Sequence, residues 1–408
     1  MQDVSFYDDL ETRSADQRAK DLRTALPDQI GRARAMAGYA ATLQDVDPMA
    51  IRTPEDLASL PVLRKSDLGA AQKAAPPFGG FTSGVSQFSH IFQSPGPIYE
   101  PGSHDSKDWW RFARFLHAAG FTSSDVVQNC FSYHLTPAGI MFENGAIALG
   151  AGVLPAGTGQ TELQVRAAAD IGCTAYAGTP DYLKIILDKA DEMGERLRFT
   201  KAAVGGGALF PSLRQEYADR GISCLQCYGT ADLGNIAYES AAQEGMIVDE
   251  GVIIEIVTPG TGDPVAEGEV GEVLVTTLNP DYPLIRFATG DLSAIMPGKS
   301  PCGRTNMRIK GWMGRADQTT KIKGMFVRPE QVAALVAKHD EIVKARVIAG
   351  RAGEQDTMTV QIEATGGDAE VFGKTVQEVL KLRGAVEIVA PGALPKDGLV
   401  IEDTRSYD

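Results

Sequence analysis

Residues 301–332 read PCGRTNMRIKGWMGRADQTTKIKGMFVRPEQV, and the chain changes character within this stretch. A CGRT turn and a GRAD tetrapeptide come first, and the proline of VRPEQV is suited to the first turn of a helix. Beyond it, KARVIAG, MTVQIEA and AVEIVA have the pattern of strands, while PEQVAALVAKH and DAEVFGKTVQEVLKLRG have the spacing of helices. The pattern predicts a small α+β domain over residues 317–408, which is large enough to fold independently.

The chain before this stretch alternates between helix-like and strand-like segments. From residue 106 the order is a helix SKDWWRFARFLHAAGF, a strand DVVQNCFSYH, a helix AGIMFENGAIALGA, a strand GVLPAG, a helix TELQVRAAADIG, a strand TAYAG and a helix PDYLKIILDKADEMG. Such alternation predicts right-handed crossovers and a largely parallel, covered sheet. After residue 245, VIIEIV, GEVLVTTL and PLIRFATGDLS predict a β subdomain. We therefore expect an α/β fold, with a large N-terminal domain of parallel and mixed sheets over residues 1–316.

Two kinds of local signal indicate where a ligand would bind. Glycines directly follow two predicted strands, in FTKAAVGGGAL and CLQCYGTADLG, and glycine at the end of a parallel strand lets a ligand approach the backbone closely. Residues 76–105 are dense in Gly, Pro, Ser and aromatic residues, which favours hairpins and turns. Just before them, Ser66 is typical of a helix N-cap.

The composition excludes several classes of protein. Of the 408 residues, 43% are hydrophobic and 23% are charged, which is typical of a globular protein and not of a disordered or fibrous one. The net charge of −14 would repel a phosphate backbone, so nucleic acid is not expected as a partner. The N-terminal stretch has neither a basic start nor an apolar core, and no apolar run approaches the roughly 20 residues that cross a bilayer. We expect a cytoplasmic protein with no membrane partner.

The five cysteines form an odd and sparse set, which fits a reducing compartment better than a disulfide framework. Cys224 and Cys227 form a lone CxxC, which could be a redox pair or half of a zinc site. The surrounding GISCLQCYG is apolar and no second CxxC follows, so we favour a buried strand.

The order of motifs resembles the adenylate-forming superfamily, in its phenylacetate–CoA ligase-like branch. The resemblance rests on CFSYHLTPAG, VLPAGTGQTELQV with AGTPDYL, GGGAL, YGTADLG, PLIRFATGDLS and the stretch quoted first. It implies a reaction in which a carboxylate attacks ATP to give an acyl adenylate and pyrophosphate. The small, mobile C-terminal domain then rotates, and a thiol, usually of CoA, captures the acyl group. The cofactors implied are ATP or AMP, CoA and Mg²⁺, and the substrate is a small carboxylic acid.

The resemblance implies a nucleotide site on the glycine-rich strand ends. Tyr228 matches the aromatic residue that stacks on adenine, and the triple glycine forms the opposite wall. The positions carried over are Gly205, Gly206, Gly207, Tyr228, Gly229 and Thr230.

Three further residues match ribose and hinge positions. Asp291 matches the acid that accepts hydrogen bonds from both ribose hydroxyls; the alternative is an Asp in a β-turn after Gly290. Arg315 matches the arginine that contacts ribose or phosphate, and Asp317 matches the hinge residue about which the small domain turns. For these two, the alternative is a charge pair on the surface between domains.

Tyr133 and His134 match positions near the substrate carboxylate, although the branch usually has a small residue where this chain has His134. A histidine there could hydrogen-bond an acyl oxygen or act as a base. Equally, it could be a satisfied histidine at the end of a strand.

Three phosphate-handling positions depart from the pattern of the branch. The phosphate loop, typically SSGTTGKP, is replaced by QSPGPIYEP: Ser94 keeps its type, two prolines remove N–H donors and Glu100 adds a negative charge. In YGTADLG, Ala231 has no hydroxyl for the α-phosphate, whereas Asp232 can still hold Mg²⁺. The catalytic lysine of the tail has Lys396 as its nearest counterpart, outside the usual Gly-Lys pair.

Many relatives in this branch also bind a structural zinc through cysteines near CGRT and an upstream Cys and His. This chain keeps Cys302 there, with Ser240 and Met246 in the upstream stretch. The zinc site is therefore predicted to be lost.

Three functions are compatible with these residues. The first is a carboxylate–CoA ligase for an aryl or other small acid, with an altered ATP-phosphate site. The second is an ATP-independent transferase that moves an acyl group from a CoA or carrier thioester to another thiol or an amine. The third is a non-catalytic relative that binds nucleotide or CoA. The sequence leaves the acid and the oligomeric state open, although a homodimer would be common in this branch.

Overall fold

The structure, a computed structural model, describes residues 5–103, 108–316, 318–323, 325–352, 355–395 and 397–405. The helices are α1 (Ala15–Arg34), α2 (Lys65–Ala74), α3 (Phe112–Ala118), α4 (Ala138–Ala148), α5 (Thr161–Ile171), α6 (Pro180–Met193), α7 (Pro211–Asp219), α8 (Pro329–Val336) and α9 (Ala369–Leu380). The strands are β1 (Leu63–Arg64), β2 (His90–Ser94), β3 (Ile98–Gly102), β4 (Val126–Asn129), β5 (Gly152–Pro155), β6 (Ala175–Gly178), β7 (Lys201–Val204), β8 (Ser223–Thr230), β9 (Gly234–Tyr238), β10 (Met246–Val248), β11 (Val252–Val257), β12 (Gly271–Thr277), β13 (Phe287–Ser293), β14 (Ile295–Met296), β15 (Arg308–Ile309), β16 (Thr320–Ile322), β17 (Met325–Val327), β18 (Ile342–Ala352), β19 (Gln355–Ala364), β20 (Ala385–Val389) and β21 (Ile401–Asp403).

The chain divides into two compact units. The first contains residues 1–254, 275–287 and 296–311, and the second contains residues 255–274, 288–295 and 312–408. The domain boundary expected between residues 316 and 317 stays a prediction.

The main sheet of the first unit has the strand order β15-β10-β9-β8-β7-β6-β4-β5. From β8 to β5 every neighbouring pair is parallel, and the pairs from β8 to β15 are antiparallel. Helices α4 to α7 lie in sequence between the parallel strands, as crossover connections require. The predicted mixed α/β sheet is confirmed.

Helix α6 illustrates why the crossover helices form. Its apolar residues recur at the 3/4 spacing of one helix face, and Leu183, Ile186 and Leu187 are buried in a core cluster with Tyr176 of β6. Thr179 precedes Pro180 at the helix start, and a left-handed Gly194 ends the helix.

Helix α3 begins later than the sequence predicts. Asp108 caps it: the carboxylate accepts from the N–H groups of Phe112 and Ala113, each at 2.9 Å. Arg111 adopts a left-handed backbone with φ of 63°, which ends any helical continuation toward the N-terminus. Trp109 therefore lies in a turn, and the prediction of a helix through it was wrong because local capping overrides the apolar spacing.

Helix α2 packs against the β2–β3 hairpin in the first unit. The hairpin confirms the turns predicted over residues 76–105. The side-chain amide of Gln72 fixes the helix to the hairpin, donating to the carbonyl of Tyr99 and accepting from its N–H, both at 2.8 Å. The N-cap of this helix is Arg64, so the assignment of Ser66 as N-cap was wrong.

The second unit contains a sheet of order β20-β19-β18-β21, with α8 and α9. Phe372 and Val376 of α9 are fully buried in one core cluster with Val347 and Val360 of the sheet. The strands and helices predicted for the end of the chain are confirmed.

The β subdomain predicted after residue 245 corresponds to a sheet of order β1-β13-β12-β11.

Helix α1, at 20 residues, is the longest helix in the described part of the chain. Its charged residues recur along its length, as in DQRAKDLR, so it is an amphipathic surface helix. Within the described ranges, no helix combines the length and apolar character that crossing a membrane requires.

Candidate active site

The carboxyl ends of the parallel strands β4, β6, β7 and β8 lie side by side in the main sheet. Each strand leads into a loop, and three of these loops carry predicted site residues: Tyr133 and His134 after β4, the triple glycine after β7, and residues 231–233 after β8. Ligands in open α/β sheets bind at this edge. The structure thus brings the predicted acyl and adenine positions to one edge of one sheet.

The triple glycine forms an open turn. Gly206 has φ of 68°, and a Cβ added there would lie no closer than 3.8 Å to any atom, so space beside the backbone is free. Gly205 is different, because a Cβ there would lie 3.0 Å from Sγ of Cys227. Gly205 packs against β8, whereas Gly206 and Gly207 are exposed.

Tyr228 lies at an irregular end of β8. The β8–β9 register shifts between Tyr228 and Gly229, and a Cβ on Gly229 would lie only 2.6 Å from the carbonyl oxygen of Gly234. Only glycine fits this close approach of two backbones. Beyond it, Oγ1 of Thr230 accepts from the N–H of Leu233 at 3.2 Å and shapes the turn that carries the next acid.

The loop after β4 holds Tyr133 firmly and leaves His134 exposed. The Tyr133 hydroxyl accepts from Nδ2 of Asn129 at 2.8 Å and donates to Oε2 of Glu143 at 2.7 Å. Burial, followed by the hydrogen bond to Glu143, raises the pKa of Tyr133 well above its usual range. Tyr133 therefore stays protonated and is held in one position by its two hydrogen bonds, while the His134 side chain is exposed.

The segment in the position of the phosphate loop folds as the β2–β3 hairpin. Ser94 pairs with Ile98 at its end, and the Ser94 hydroxyl donates to the carboxylate of Glu100. Both side chains are buried, and Glu100 has no exposed surface. The hairpin contacts the loop after β4, because the N–H of Gln93 donates to the carbonyl of Leu135 at 2.9 Å.

Asp232 lies in the turn after β8 and pairs with Lys65, the first residue of α2, at 2.9 Å between Nζ and Oδ2. The Asp232 side chain is 1% exposed, whereas that of Lys65 is 41% exposed. Sequence reasoning missed Lys65. The signal that could have identified it is a lysine at the start of a predicted helix, in a chain that has no lysine at the position of the phosphate loop.

Among the described residues, three buried polar atoms of this cluster have no hydrogen-bond partner: Oε2 of Glu100, Oδ1 of Asp232 and the hydroxyl of Tyr282. Burial, and after it the negative charge of Asp232, raises the pKa of Glu100 to about 8, although Ser94 and Lys65 act in the opposite direction. Glu100 is therefore mostly protonated at neutral pH. We call Lys65, Ser94, Glu100, Asp232 and Tyr282 the acid cluster.

Asp291 belongs to the second unit and lies within β13, not in a β-turn. Its Oδ1 accepts from Nη1 of Arg315 at 2.8 Å and from Nε1 of Trp312 at 3.1 Å. Asp291 and Arg315 also form an isolated backbone bridge. Trp312 was not predicted as a site residue; its side chain is largely exposed beside an acid and an arginine that were.

Asp317 and Lys396 lie outside the described residues, so their predicted roles stay predictions. The chain on either side of Lys396 is held within the second unit. Nζ of Lys344 donates to the carbonyl of Pro395 at 3.0 Å, and Arg346 forms an ion pair with Asp397.

Comparison with known proteins shows the family of this chain. The family described as AMP-binding enzyme matches residues 107–279. The chain is 30% identical over 352 residues to phenylacetate-coenzyme A ligase of Thermus thermophilus, covering 82% of this chain and 77% of the relative. It is 31% identical over 338 residues to phenylacetate-coenzyme A ligase of Escherichia coli K12, covering 78% of this chain and 75% of the relative. The chain belongs to the phenylacetate–coenzyme A ligase family.

A solved structure supports the fold of this family member. The chain is similar to the crystal structure of an open conformation of 2-hydroxyisobutyryl-CoA ligase in complex with 2-HIB-AMP and CoA, with a TM-score of 0.72. The match covers 95% of this chain and 91% of that chain at 24% identity. The predicted family, the fold and the general class of AMP-forming acid–CoA ligase are confirmed. Which residues of this family member form the site stays a prediction.

The cysteine positions of this phenylacetate–coenzyme A ligase family member bear on metal binding. Cys224 and Cys227 lie in strand β8 as predicted, and both thiols are free. Burial raises the pKa of Cys302, but hydrogen bonds with Ser240, Ser300 and Arg304 outweigh it, so the pKa lies below its usual range. In the described ranges, no group of three His, Cys, Asp or Glu residues could hold a metal ion. The loss of a structural zinc site stays a prediction.

Proposed function

We propose that this protein is an AMP-forming ligase that joins a small carboxylic acid, aryl or short-chain, to the thiol of CoA. The observation that carries the proposal is the shared sheet edge, where the Tyr133–His134 loop, the open glycine turn and the turn after β8, close to Tyr228, follow neighbouring parallel strands. An acid and a nucleotide that bind at one edge can react with each other. Family membership makes this the reaction to test first.

The acid is proposed to bind beside the loop after β4. Tyr133 would orient it as a rigid wall, since both hydrogen bonds of its hydroxyl are already made. His134 would meet the carboxylate or the acyl oxygen as a hydrogen-bond donor or base, because its side chain is exposed at the end of the loop.

The nucleotide is proposed to use two sets of residues. Tyr228 would stack on adenine against Gly206 and Gly207, whose lack of side chains leaves the space that an aromatic base needs. Asp291 would accept from the ribose hydroxyls, with Arg315 beside it for ribose or phosphate. The roles of Asp317 as hinge and of Lys396 as catalytic lysine remain part of the proposal.

Asp232 is the residue that would hold Mg²⁺. Its Oδ1 is buried and accepts no hydrogen bond from any residue that the structure describes, which fits a carboxylate oxygen that binds a cation. When bound, Mg²⁺ neutralises phosphate charge, so the turn after β8 would position the phosphates through Asp232 and Thr230.

The proposal is tested by acid-dependent release of pyrophosphate from ATP, across a panel of aryl and short-chain acids. Mass spectrometry then identifies the CoA thioester of the acid that gives release. We expect release with at least one acid and formation of its thioester when CoA is added. No release with any acid would refute the ligase.

The second candidate is the ATP-independent acyl transferase, and the hairpin is the observation that favours it. Pro95 and Pro97 remove N–H donors from its turn, and the buried side chain of Ser94 is bonded to Glu100 in place of a ligand. A transferase would show a thermal shift with acyl-CoA and acyl transfer to a thiol or amine, without pyrophosphate release. The third candidate, a non-catalytic binding protein, would show a shift with nucleotide or CoA and no turnover.

We also propose a cytoplasmic location, no nucleic-acid or membrane partner, and a homodimer as the assembly to test. Light scattering of the purified protein decides the last point, because a monomer at micromolar concentration would exclude it.

A further inference from the structure

We propose that Lys65 is the cationic group that binds the nucleotide phosphates in this protein, held in place by its ion pair with Asp232. This inference rests on the proposed function and names the group that replaces the lysine missing from the phosphate loop. Lys65 would be a phosphate-binding residue contributed by a helix start instead of by the loop.

The first support is the position of Lys65. Its ammonium reaches the turn after β8, which also carries Thr230, through the 2.9 Å contact with Asp232. Gln72 of the same helix is bonded to the backbone of Tyr99, the residue before Glu100. Lys65 therefore lies where the hairpin in the phosphate-loop position and the turn after β8 converge.

The second support is the asymmetry of the ion pair. An ammonium has three N–H donors, and the contact with Asp232 uses one of them. Only 1% of the Asp232 side chain is exposed, whereas 41% of the Lys65 side chain faces solvent. An anion that arrives from solvent therefore meets the exposed ammonium first, and the carboxylate limits the motion of the lysine.

The third support is the charge of the surroundings. Two carboxylates, Glu100 and Asp232, face one ammonium, and a doubly ionised pair would repel phosphate. Glu100 is fully buried, and burial raises its pKa to about 8 although the hydrogen bond from Ser94 lowers it, so the neutral form is favoured at neutral pH. The charges of Lys65 and Asp232 then balance, and the exposed N–H groups of Lys65 are the strongest donors of the cluster that solvent reaches.

The test compares wild-type protein with Lys65→Met, Lys65→Arg and Lys73→Met, using calorimetry with MgATP and with adenosine. Lys73 is exposed on the same helix and is the matched control. We expect Lys65→Met to bind MgATP roughly 10- to 100-fold more weakly, which is the effect of losing one charge-assisted hydrogen bond. Adenosine affinity should stay unchanged, Lys65→Arg should recover part of the MgATP affinity, and Lys73→Met should match wild type.

The outcomes separate the two proposals. If Lys65 only neutralises Asp232, Lys65→Met lowers the melting temperature while its MgATP affinity equals that of wild type, which overturns this inference. An equal loss for MgATP and adenosine also overturns it. If wild type binds MgATP in a Lys65-dependent manner but releases no pyrophosphate with any acid, the inference holds and the ligase proposal fails. If wild type does not bind MgATP, both fail. Should Lys65→Met not fold, the comparison of Lys65→Arg with wild type at rising salt decides, since a phosphate contact keeps its salt dependence.

Discussion

Replacing Glu100 with Gln tests whether the acid cluster carries a proton at neutral pH. Burial and the charge of Asp232 raise the pKa of Glu100 from 4.5 to about 8. The folded state therefore binds a proton that the unfolded chain releases between these two values. Stability contributed by this site is complete below pH 4.5 and declines as the pH rises through 8, because the unfolded state then binds fewer protons than the folded state.

The magnitude follows from the two pKa values. The decline is roughly 1.4 kcal/mol for each pH unit between them, so wild type loses on the order of 3 kcal/mol from this site between pH 5.5 and pH 8.5. A glutamine at this position is neutral in the folded and in the unfolded state, so the variant does not lose this stability as the pH rises. The advantage of Glu100→Gln over wild type should thus grow by about 6 °C in melting temperature over this interval, since a large domain shifts by roughly 2 °C per kcal/mol.

The assay is thermal unfolding of Glu100→Gln and wild type in matched buffers at pH 5.5, 7.0 and 8.5. The difference between the two melting temperatures is the measured quantity, because other titrating groups affect both proteins alike. Glu195→Gln, at an exposed position of the same unit, should show a constant difference at all three values. A difference for Glu100→Gln that is equally flat would show that Glu100 is ionised in the folded protein and would refute the reasoning.

Three further predictions test the ribose site, a buried ion pair and the glycine turn. Asp291→Ala should abolish nucleotide binding measured by calorimetry, and unchanged affinity would remove the ribose assignment. Arg304→Met leaves the buried Glu11 carboxylate unpaired and should lower stability by about 3–5 kcal/mol in urea unfolding, with partial recovery in the double variant that also carries Glu11→Gln. Gly229→Ala places a methyl group 2.6 Å from a carbonyl oxygen of β9 and should lower both the melting temperature and pyrophosphate release. Gly207→Ala, whose nearest contact is 3.4 Å, should retain the melting temperature, and equal loss in both would argue against the close approach.

Elements whose causes are local could be predicted from the sequence. The alternation of β4 to β8 with their helices, the β2–β3 hairpin and the strands of the second unit follow from periodicity and from Gly and Pro positions. Where the apolar spacing mispredicted the start of a helix, another local interaction determined that start. Helix α3 starts at Phe112 because Asp108 caps it, although the apolar spacing begins at Trp109.

The acid cluster could not be predicted in the same way, because its members are distant in sequence. Lys65 and Asp232 are 167 positions apart, and only the folded chain shows that they pair. From the sequence alone, Glu100 is predicted to add a negative charge at the position of the phosphate loop. Its burial depends on the folded hairpin and on helix α2, which the sequence motif does not show. The pKa of a carboxyl depends on what surrounds it, and a motif gives no information on burial.

The acid cluster also changes how the departures in the phosphate region are interpreted. Judged one position at a time, the hairpin loses donors, gains a negative charge and lacks a lysine. In the folded protein the added carboxyl is buried and mostly neutral at pH 7, while a lysine reaches the same place from helix α2. Both changes move the local charge toward what a phosphate requires.

If Lys65→Met weakens MgATP binding and Glu100→Gln leaves it intact, the phosphate site has been rebuilt from other residues. If both variants bind MgATP as wild type does, the hairpin is a structural element and the acyl-transferase candidate gains weight.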